Sequence, residues 1–196
     1  MPDPAKKKAT YEDLYGIPEN MTGEIIDGEL ILTPRPSRKH VIVSSYLGGE
    51  IIPPYCHGRG GGPGGWVILI EPEIGLGEHI LVPDLAGWRE ERFPHEEPHN
   101  WISIVPDWIC EVLSPHTLRI DKMQKLPLYA RHGVPCLWII DPMVQTLDVF
   151  RLKAGEWVLA GAYVEDAKLR AEPFAEIEIN LIDLWPGNKT LLKQPE

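Results

Sequence analysis

Glycine and proline recur along the whole chain, and this recurrence constrains the fold more than any other feature. The sequence has 18 glycines and 20 prolines among 196 residues. Both residue types disfavour helix interiors, so the sequence excludes a helical bundle or a coiled coil and predicts many turns between short elements. A chain of this length can bury a core as one domain. We expect a single domain over residues 10–186, between a flexible tail at 1–9 and a polar tail at 187–196.

The spacing of apolar residues predicts a mixed α/β (α+β) sheet flanked by a few helices. Strand formers on both sides of Asp27-Gly28 predict an N-terminal β-hairpin over residues 23–32. Helices are predicted over 37–52, where Pro53-Pro54 would end the helix, and over 118–132. The remaining segments predict strands over 66–70, 80–88, 108–113 and 135–140, and a second hairpin over 146–163.

Charge and cysteine content limit the classes of partner and compartment. The net charge is 19 − 29 = −10, which argues against a non-specific coat on nucleic acid but leaves room for a small basic groove. No apolar run approaches the roughly 20 residues that span a bilayer, so we expect no membrane partner. The N-terminus lacks the apolar stretch of a signal peptide. The cysteines, at 56, 110 and 136, form no CxxC pair and indicate a reducing, cytoplasmic location.

Two acidic residues lie within apolar segments that we predict to be strands. Asp84 is placed in the strand 80–88, and Glu111 in the strand 108–113. Alternation along the latter puts Glu111 on the same face as Ile109 and Leu113, with Trp108 on the other. A carboxylate in such a strand is costly to bury unless it is paired or binds a cation. If the two strands are neighbours, the carboxylates form a hard-oxygen site suited to Mg²⁺ or Mn²⁺.

The helix predicted at 118–132 carries polar residues in register. Asp121, Lys125 and Tyr129 lie at i, i+4 and i+8 and therefore share one face. If this face packs toward the strand ends, Lys125 brings a cation beside the carboxylates, where it could stabilise a phosphate or orient an attacking water. The alternative is an ordinary surface ion pair between Asp121 and Lys125. Pro127 predicts a kink or a new helix start.

Other motifs carry less chemical information. The segment 95–99 matches HExxH, but Pro98 lies inside it, so we predict a solvated loop rather than a zinc-binding helix. The glycine-rich stretch 57–65 leads into a strand and offers no helix N-terminus to a phosphate. Trp66 and Trp101 are predicted to be the more exposed of the seven tryptophans.

Several blocks together resemble a known family. They are Glu24-Ile-Ile-Asp-Gly with His40 in the next helix, Val82-Pro-Asp84-Leu-Ala, Asp107-Trp-Ile-Cys-Glu111-Val-Leu-Ser-Pro, Asp121-x3-Lys125-x3-Tyr129, and Gly133-Val-Pro-Cys-Leu-Trp-Ile-Ile-Asp-Pro. The chain resembles the bacterial Uma-type family of proposed endonucleases, which is similar to the PD-(D/E)xK restriction-endonuclease-like superfamily. The resemblance runs over about residues 10 to 186.

This resemblance implies a restriction-endonuclease-like mixed sheet flanked by helices and a set of site residues. Asp84, Glu111 and Lys125 would be catalytic. Asp84 and Glu111 would hold Mg²⁺ (or Mn²⁺) with the backbone carbonyl of Val112, and Glu24 or Glu50 would add an acidic contact. Supporting residues would be His40, Asp121 and Tyr129. The superfamily lysine usually lies two residues after the strand glutamate, where this chain has Leu113, so the resemblance implies that Lys125 takes its place.

The resulting expectation is a metal-dependent endonuclease that hydrolyses DNA phosphodiester bonds and, by analogy, acts as a homodimer. One alternative is a catalytically inactive nuclease fold that serves as a binding or assembly module. Another is a hydrolase of a small phosphoester, which a narrow pocket would favour over a cleft wide enough for a duplex.

Overall fold

The computed structural model describes residues 7–187. Residues 1–6 and 188–196, which make up most of the two predicted tails, lie outside the described part, and the domain limits stay a prediction. Within residues 7–187 no helix is long and apolar enough to cross a membrane.

The chain forms a mixed α+β fold, as predicted. The strands are β1 Met21–Ile26, β2 Glu29–Pro34, β3 Trp66–Ile70, β4 Ile74–Leu76, β5 His79–Leu81, β6 Leu85–Arg89, β7 Trp108–Val112, β8 Cys136–Asp141, β9 Thr146–Lys153, β10 Glu156–Val164, β11 Lys168–Leu169 and β12 Ile179–Asn180. The α-helices are α1 Arg38–His57, α2 Leu118–Ile120 and α3 Leu126–Arg131, and a π-helical turn, Asp121–Lys125, joins α2 to α3. Short 3-10 helices cover Tyr11–Gly16, Arg59–Gly61, Glu90–Arg92 and Leu181–Leu184.

A six-stranded sheet in the order β10-β9-β8-β7-β6-β3 forms the centre of the fold. Only β7 and β8 of this sheet pair in parallel, and the segment α2–α3 makes the crossover between them, since parallel neighbours need a long connection. A second sheet has the order β2-β1-β5-β4. The predicted N-terminal hairpin is its β1–β2 pair, whose turn places Asp27 and Gly28 at φ 52° and 75°, the left-handed values of a two-residue hairpin turn.

The two faces of the central sheet bury two cores. Trp108, Cys110 and Val112 of β7 pack with the apolar face of α1, whereas Ile109 and Leu113 pack with α3 and the second sheet. This is the alternation predicted for β7 from its sequence. Glu111 therefore lies on the face that α3 covers.

Helix α1 continues past the predicted stop at Pro53-Pro54 and ends at His57. The two prolines lack the amide hydrogens of that turn, which weakens the helix. Tertiary packing outweighs this loss, because Tyr55 is fully buried against Phe174 and donates a 2.8 Å hydrogen bond to Glu176. Gly58 then caps the helix in the left-handed conformation.

The strand predicted over 80–88 is also wrong in one respect, and the difference matters for the site. The chain leaves the second sheet after β5 and enters the central sheet at β6, so Asp84 precedes a strand instead of lying inside one. Pro83 has no amide hydrogen for a sheet ladder, which is consistent with a break at this point. Asp84 is thereby placed at one end of the strands of the central sheet, beside the carboxyl end of β7.

Candidate active site

The carboxyl end of β7 opens into a pocket of about 310 Å³. Its lining residues include Glu24, Asp84, Glu111, Asp121, Lys125 and His40. They come from β1, the β5–β6 connection, β7, the π-helical turn and α1. The fold thus collects residues that span a hundred positions of sequence into one pocket.

Lys125 lies at the centre of the acidic group. Its Nζ is 2.8 Å from Glu111 Oε1, 3.1 Å from Glu24 Oε1 and 3.8 Å from Asp121 Oδ1. It also donates a 3.1 Å hydrogen bond to the Val82 carbonyl. The side chain is only 4% exposed, so this lysine does not form the surface ion pair that was the alternative prediction for the helix.

The charge state of Lys125 follows from these contacts. Burial alone would lower its pKa, because the charged form loses hydration. The nearby carboxylates of Glu111 and Glu24 outweigh burial and raise the pKa of Lys125 well above its ordinary value. The lysine is therefore a permanent cation at neutral pH.

Glu111 is held on one oxygen by two donors. Tyr129 donates a 2.6 Å hydrogen bond to Oε1, the atom that also contacts Lys125. Burial raises the pKa of Glu111 even though Lys125 opposes the rise, and burial likewise raises the pKa of Asp121. The predicted helical face of Asp121, Lys125 and Tyr129 thus packs against β7, with a π-helical turn just before Pro127. Such turns are frequent at functional sites.

Asp84 is held by α1 on one side and by β7 on the other. Its Oδ1 lies 2.5 Å from His40 Nε2, and its Oδ2 accepts a 2.6 Å hydrogen bond from the Val112 amide. Burial opposes protonation of His40, but the hydrogen bond and charge of Asp84 prevail and raise the pKa of His40. Ser37 caps α1 and accepts from the His40 amide, which fixes the helix start next to the pocket.

Glu24 reaches the pocket from β1. Its Oε1 accepts a 2.7 Å hydrogen bond from the Val82 amide and contacts Lys125. Glu50, the other acidic residue named for this role, is exposed on α1 and does not line the pocket. That expectation is wrong, because residue 50 lies on the solvent side of the helix while His40, Val43 and Leu47 face inward.

Sequence reasoning missed Glu71, which also lines the pocket. Glu71 follows β3, and its amide donates a 2.9 Å hydrogen bond to the Asp84 carbonyl. The sequence signal available was the acidic residue directly after the apolar strand at 66–70. The HExxH segment, as predicted, lies in a loop away from the pocket, with His99 stacked on Trp101.

The carboxylate oxygens that line the pocket are of the type that a hard cation such as Mg²⁺ prefers as ligands. Glu24, Glu111 and Asp121 are each at most 5% exposed, and the five carboxylates of the lining outnumber its lysine and arginine, Lys125 and Arg35. Buried excess negative charge must be offset by bound protons or by a cation. In the arrangement observed for residues 7–187, however, no three His, Cys, Asp or Glu side chains are already placed to ligate a metal ion.

Comparison with known proteins gives a consistent family assignment. A family model described as "Uma2: Putative restriction endonuclease" matches residues 9–182. A solved structure described as that of a "putative nuclease belonging to DUF820" from Anabaena variabilis ATCC 29413 is 29% identical, with a TM-score of 0.71, and the match covers 90% of this chain and 97% of that one. The comparison with curated proteins finds no match. Since the family match spans most of its length, the chain belongs to the Uma2 family of restriction-endonuclease-like proteins.

Proposed function

We propose that the protein is a divalent-metal-dependent endonuclease that hydrolyses DNA phosphodiester bonds. The observation that carries the proposal is the buried contact of Glu111 and Glu24 with Lys125 in a pocket that Asp84 also lines. The family assignment supports a nuclease, and the metal and the DNA substrate are the proposed additions.

Asp84 and Glu111 would hold Mg²⁺ or Mn²⁺, with Glu24 and the Val112 carbonyl as further oxygen donors. A divalent ion there would supply Lewis acidity and lower the pKa of a bound water. The carboxylates carry the negative charge that such an ion offsets, and oxygen donors are those that Mg²⁺ prefers.

The surrounding residues have roles that follow from their contacts. Lys125 keeps a positive charge beside Glu111, where it can orient the attacking water or stabilise negative charge developing on a phosphate. Tyr129 fixes the Glu111 carboxylate through its 2.6 Å hydrogen bond. His40 fixes Asp84 from the opposite side.

Basic residues at the mouth of the pocket supply the positive charge with which a protein of net negative charge would bind a polyanion. Arg35 is exposed and lines the pocket. Lys39 reaches Met143, another lining residue, with its Nζ 4.0 Å from the sulfur. Both lie at or just before the start of α1, whose N-terminus carries a partial positive charge. We propose that Arg35 and Lys39, at the mouth of the pocket, contact the DNA backbone.

The size of the pocket also supports a second candidate function, the hydrolysis of a small phosphoester. A cavity of about 310 Å³ admits one phosphate group with its neighbouring atoms. A duplex would have to lie across the mouth, whereas a small phosphoester could enter whole. Hydrolysis of a small phosphodiester without cleavage of DNA would favour this second function.

The test combines calorimetry with a cleavage assay. Mg²⁺ and Mn²⁺ are titrated into the wild type, Asp84→Asn and Glu111→Gln, and the same samples are incubated with supercoiled plasmid. Asp148→Asn is the matched control, because this carboxylate lies in β9 of the same sheet but outside the pocket.

We expect specific metal binding and metal-dependent nicking in the wild type and the control, and loss of both in the two site variants. Metal binding without nicking would retain the site and reject the DNA substrate. Absence of specific metal binding would reject the catalytic proposal and favour an inactive nuclease fold used for binding or assembly. The proposed homodimer is tested separately by sedimentation equilibrium.

A further inference from the structure

A second cavity lies at the opposite end of the central sheet. Its volume is about 370 Å³, and it shares no lining residue with the carboxylate pocket. Trp66 begins β3, Arg89 ends β6 and Cys136 begins β8, where it pairs with Arg151 of β9. The carboxylate pocket instead adjoins the other ends of these strands. The two sites are thus separated by the length of the sheet.

The cavity is basic in a protein of net charge −10. Arg89, Arg151 and Lys153 line it together with Asp107 and Glu172. Both carboxylates are already engaged. Asp107 pairs with Arg92 and accepts from the Arg89 amide, and Glu172 pairs with Arg151.

Two cations of the cavity, Arg89 and Lys153, therefore have no carboxylate partner within the described residues. The Arg89 guanidinium lies 4.3 Å from the centre of the Trp66 ring, and neither Arg89 nor Lys153 forms an ion pair with a carboxylate of residues 7–187.

Two residues of the cavity lining carry hydrogen-bond donors without a partner among the described residues. Trp66 is 2% exposed, contrary to the exposure predicted for it, and its Nε1 has no hydrogen-bond partner within the described part of the chain. The Nε of Arg151 is likewise buried and unpartnered there. Buried donors without acceptors are costly, and an acceptor supplied by a ligand would remove that cost.

We infer that this cavity is a binding site for a small oxyanion, with phosphate as the representative ligand. The anion accepts hydrogen bonds from Arg151 Nε and Trp66 Nε1, and Arg89 and Lys153 balance its charge. Pro135, Leu152 and Pro173 supply an apolar wall, so a phosphate or carboxylate attached to a small apolar group fits the lining best. The inference does not depend on the nuclease proposal.

The indole N–H of Trp66 gives a direct readout. Inorganic phosphate is titrated at constant ionic strength into ¹⁵N-labelled protein, and the Trp66 indole resonance, assigned with Trp66→Phe, is followed by NMR. We expect a saturable shift. Arg151→Gln should weaken binding about tenfold or more, as expected for the loss of one charge-assisted hydrogen bond.

Matched variants distinguish this cavity from phosphate binding elsewhere on the protein. Arg131→Gln removes an exposed arginine outside the cavity and should bind as the wild type does. Asp84→Asn should also leave this binding unchanged, which distinguishes it from phosphate in the carboxylate pocket. Arg151→Lys keeps the charge but lacks Nε, so it should bind more weakly than wild type even if Arg151→Gln fails to fold. A non-saturable shift, or equal affinity in Arg151→Lys and wild type, would overturn the inference.

Discussion

Removal of the buried cation Lys125 should produce the largest single effect on stability in the site. Its Nζ contacts Glu111, Glu24 and the Val82 carbonyl at 2.8–3.1 Å with almost no exposure to water. In Lys125→Met the carboxylates stay buried without their common counterion. Breaking one side of a buried ion pair costs about 3–5 kcal/mol, and a domain of this size loses roughly 2–4 °C in Tm per kcal/mol.

The pH dependence of this loss gives a sharper test than its size. Without Lys125 the folded-state pKa of Glu111 rises further above its unfolded value. The stability of the variant is therefore retained at low pH and lost as pH rises through that folded pKa. The deficit relative to wild type should be largest near pH 8 and shrink toward pH 5.

Urea denaturation followed by tryptophan fluorescence measures both quantities. Lys122→Met is the control, because Lys122 lies in the same helical turn but is exposed, and it should change the free energy of unfolding by less than about 0.5 kcal/mol. A deficit below about 1 kcal/mol for Lys125→Met, or one independent of pH, would refute the reasoning that the lysine neutralises buried carboxylates.

Three further outcomes follow from the site. Tyr129→Phe removes a hydrogen bond to Glu111 and should cost about 1.5–3 kcal/mol in urea denaturation; an unchanged midpoint would contradict this. The raised pKa of His40 means that its contribution to stability is full below the unfolded pKa and is lost as pH rises through the folded pKa. His40→Gln should flatten this dependence, and an unchanged slope would argue against it. If the mouth binds DNA, Arg35→Gln and Lys39→Gln should each lower the salt dependence of binding by about one counterion, measured by fluorescence anisotropy without metal. Equal slopes would remove these residues from the interface.

Local sequence patterns predicted the elements whose stability is local or periodic. The Asp27-Gly28 turn, the two faces of β7 and the shared face of Asp121, Lys125 and Tyr129 all follow from backbone preferences or side-chain spacing. The continuation of α1 through Pro53-Pro54 did not follow, because it depends on the contacts of Tyr55 with Phe174 and Glu176, which are distant in sequence. The break between β5 and β6 coincides with Pro83, but the pairing of the two strands in different sheets depends on distant partners.

The sequence alone determined which chemical groups this protein can bring to a site: acidic residues at apolar strand positions, one helical lysine in register with them, and the blocks of a nuclease-like family. Only the tertiary structure decided that Glu24 contacts Lys125 and that His40 contacts Asp84. It also decided that the buried donors of Trp66 and Arg151, which line the second cavity, have no partner within the described residues. The physical reason is that hydrogen bonding and charge neutralisation in a buried site depend on distances between elements, and those distances are set by how the two sheets and α1 pack.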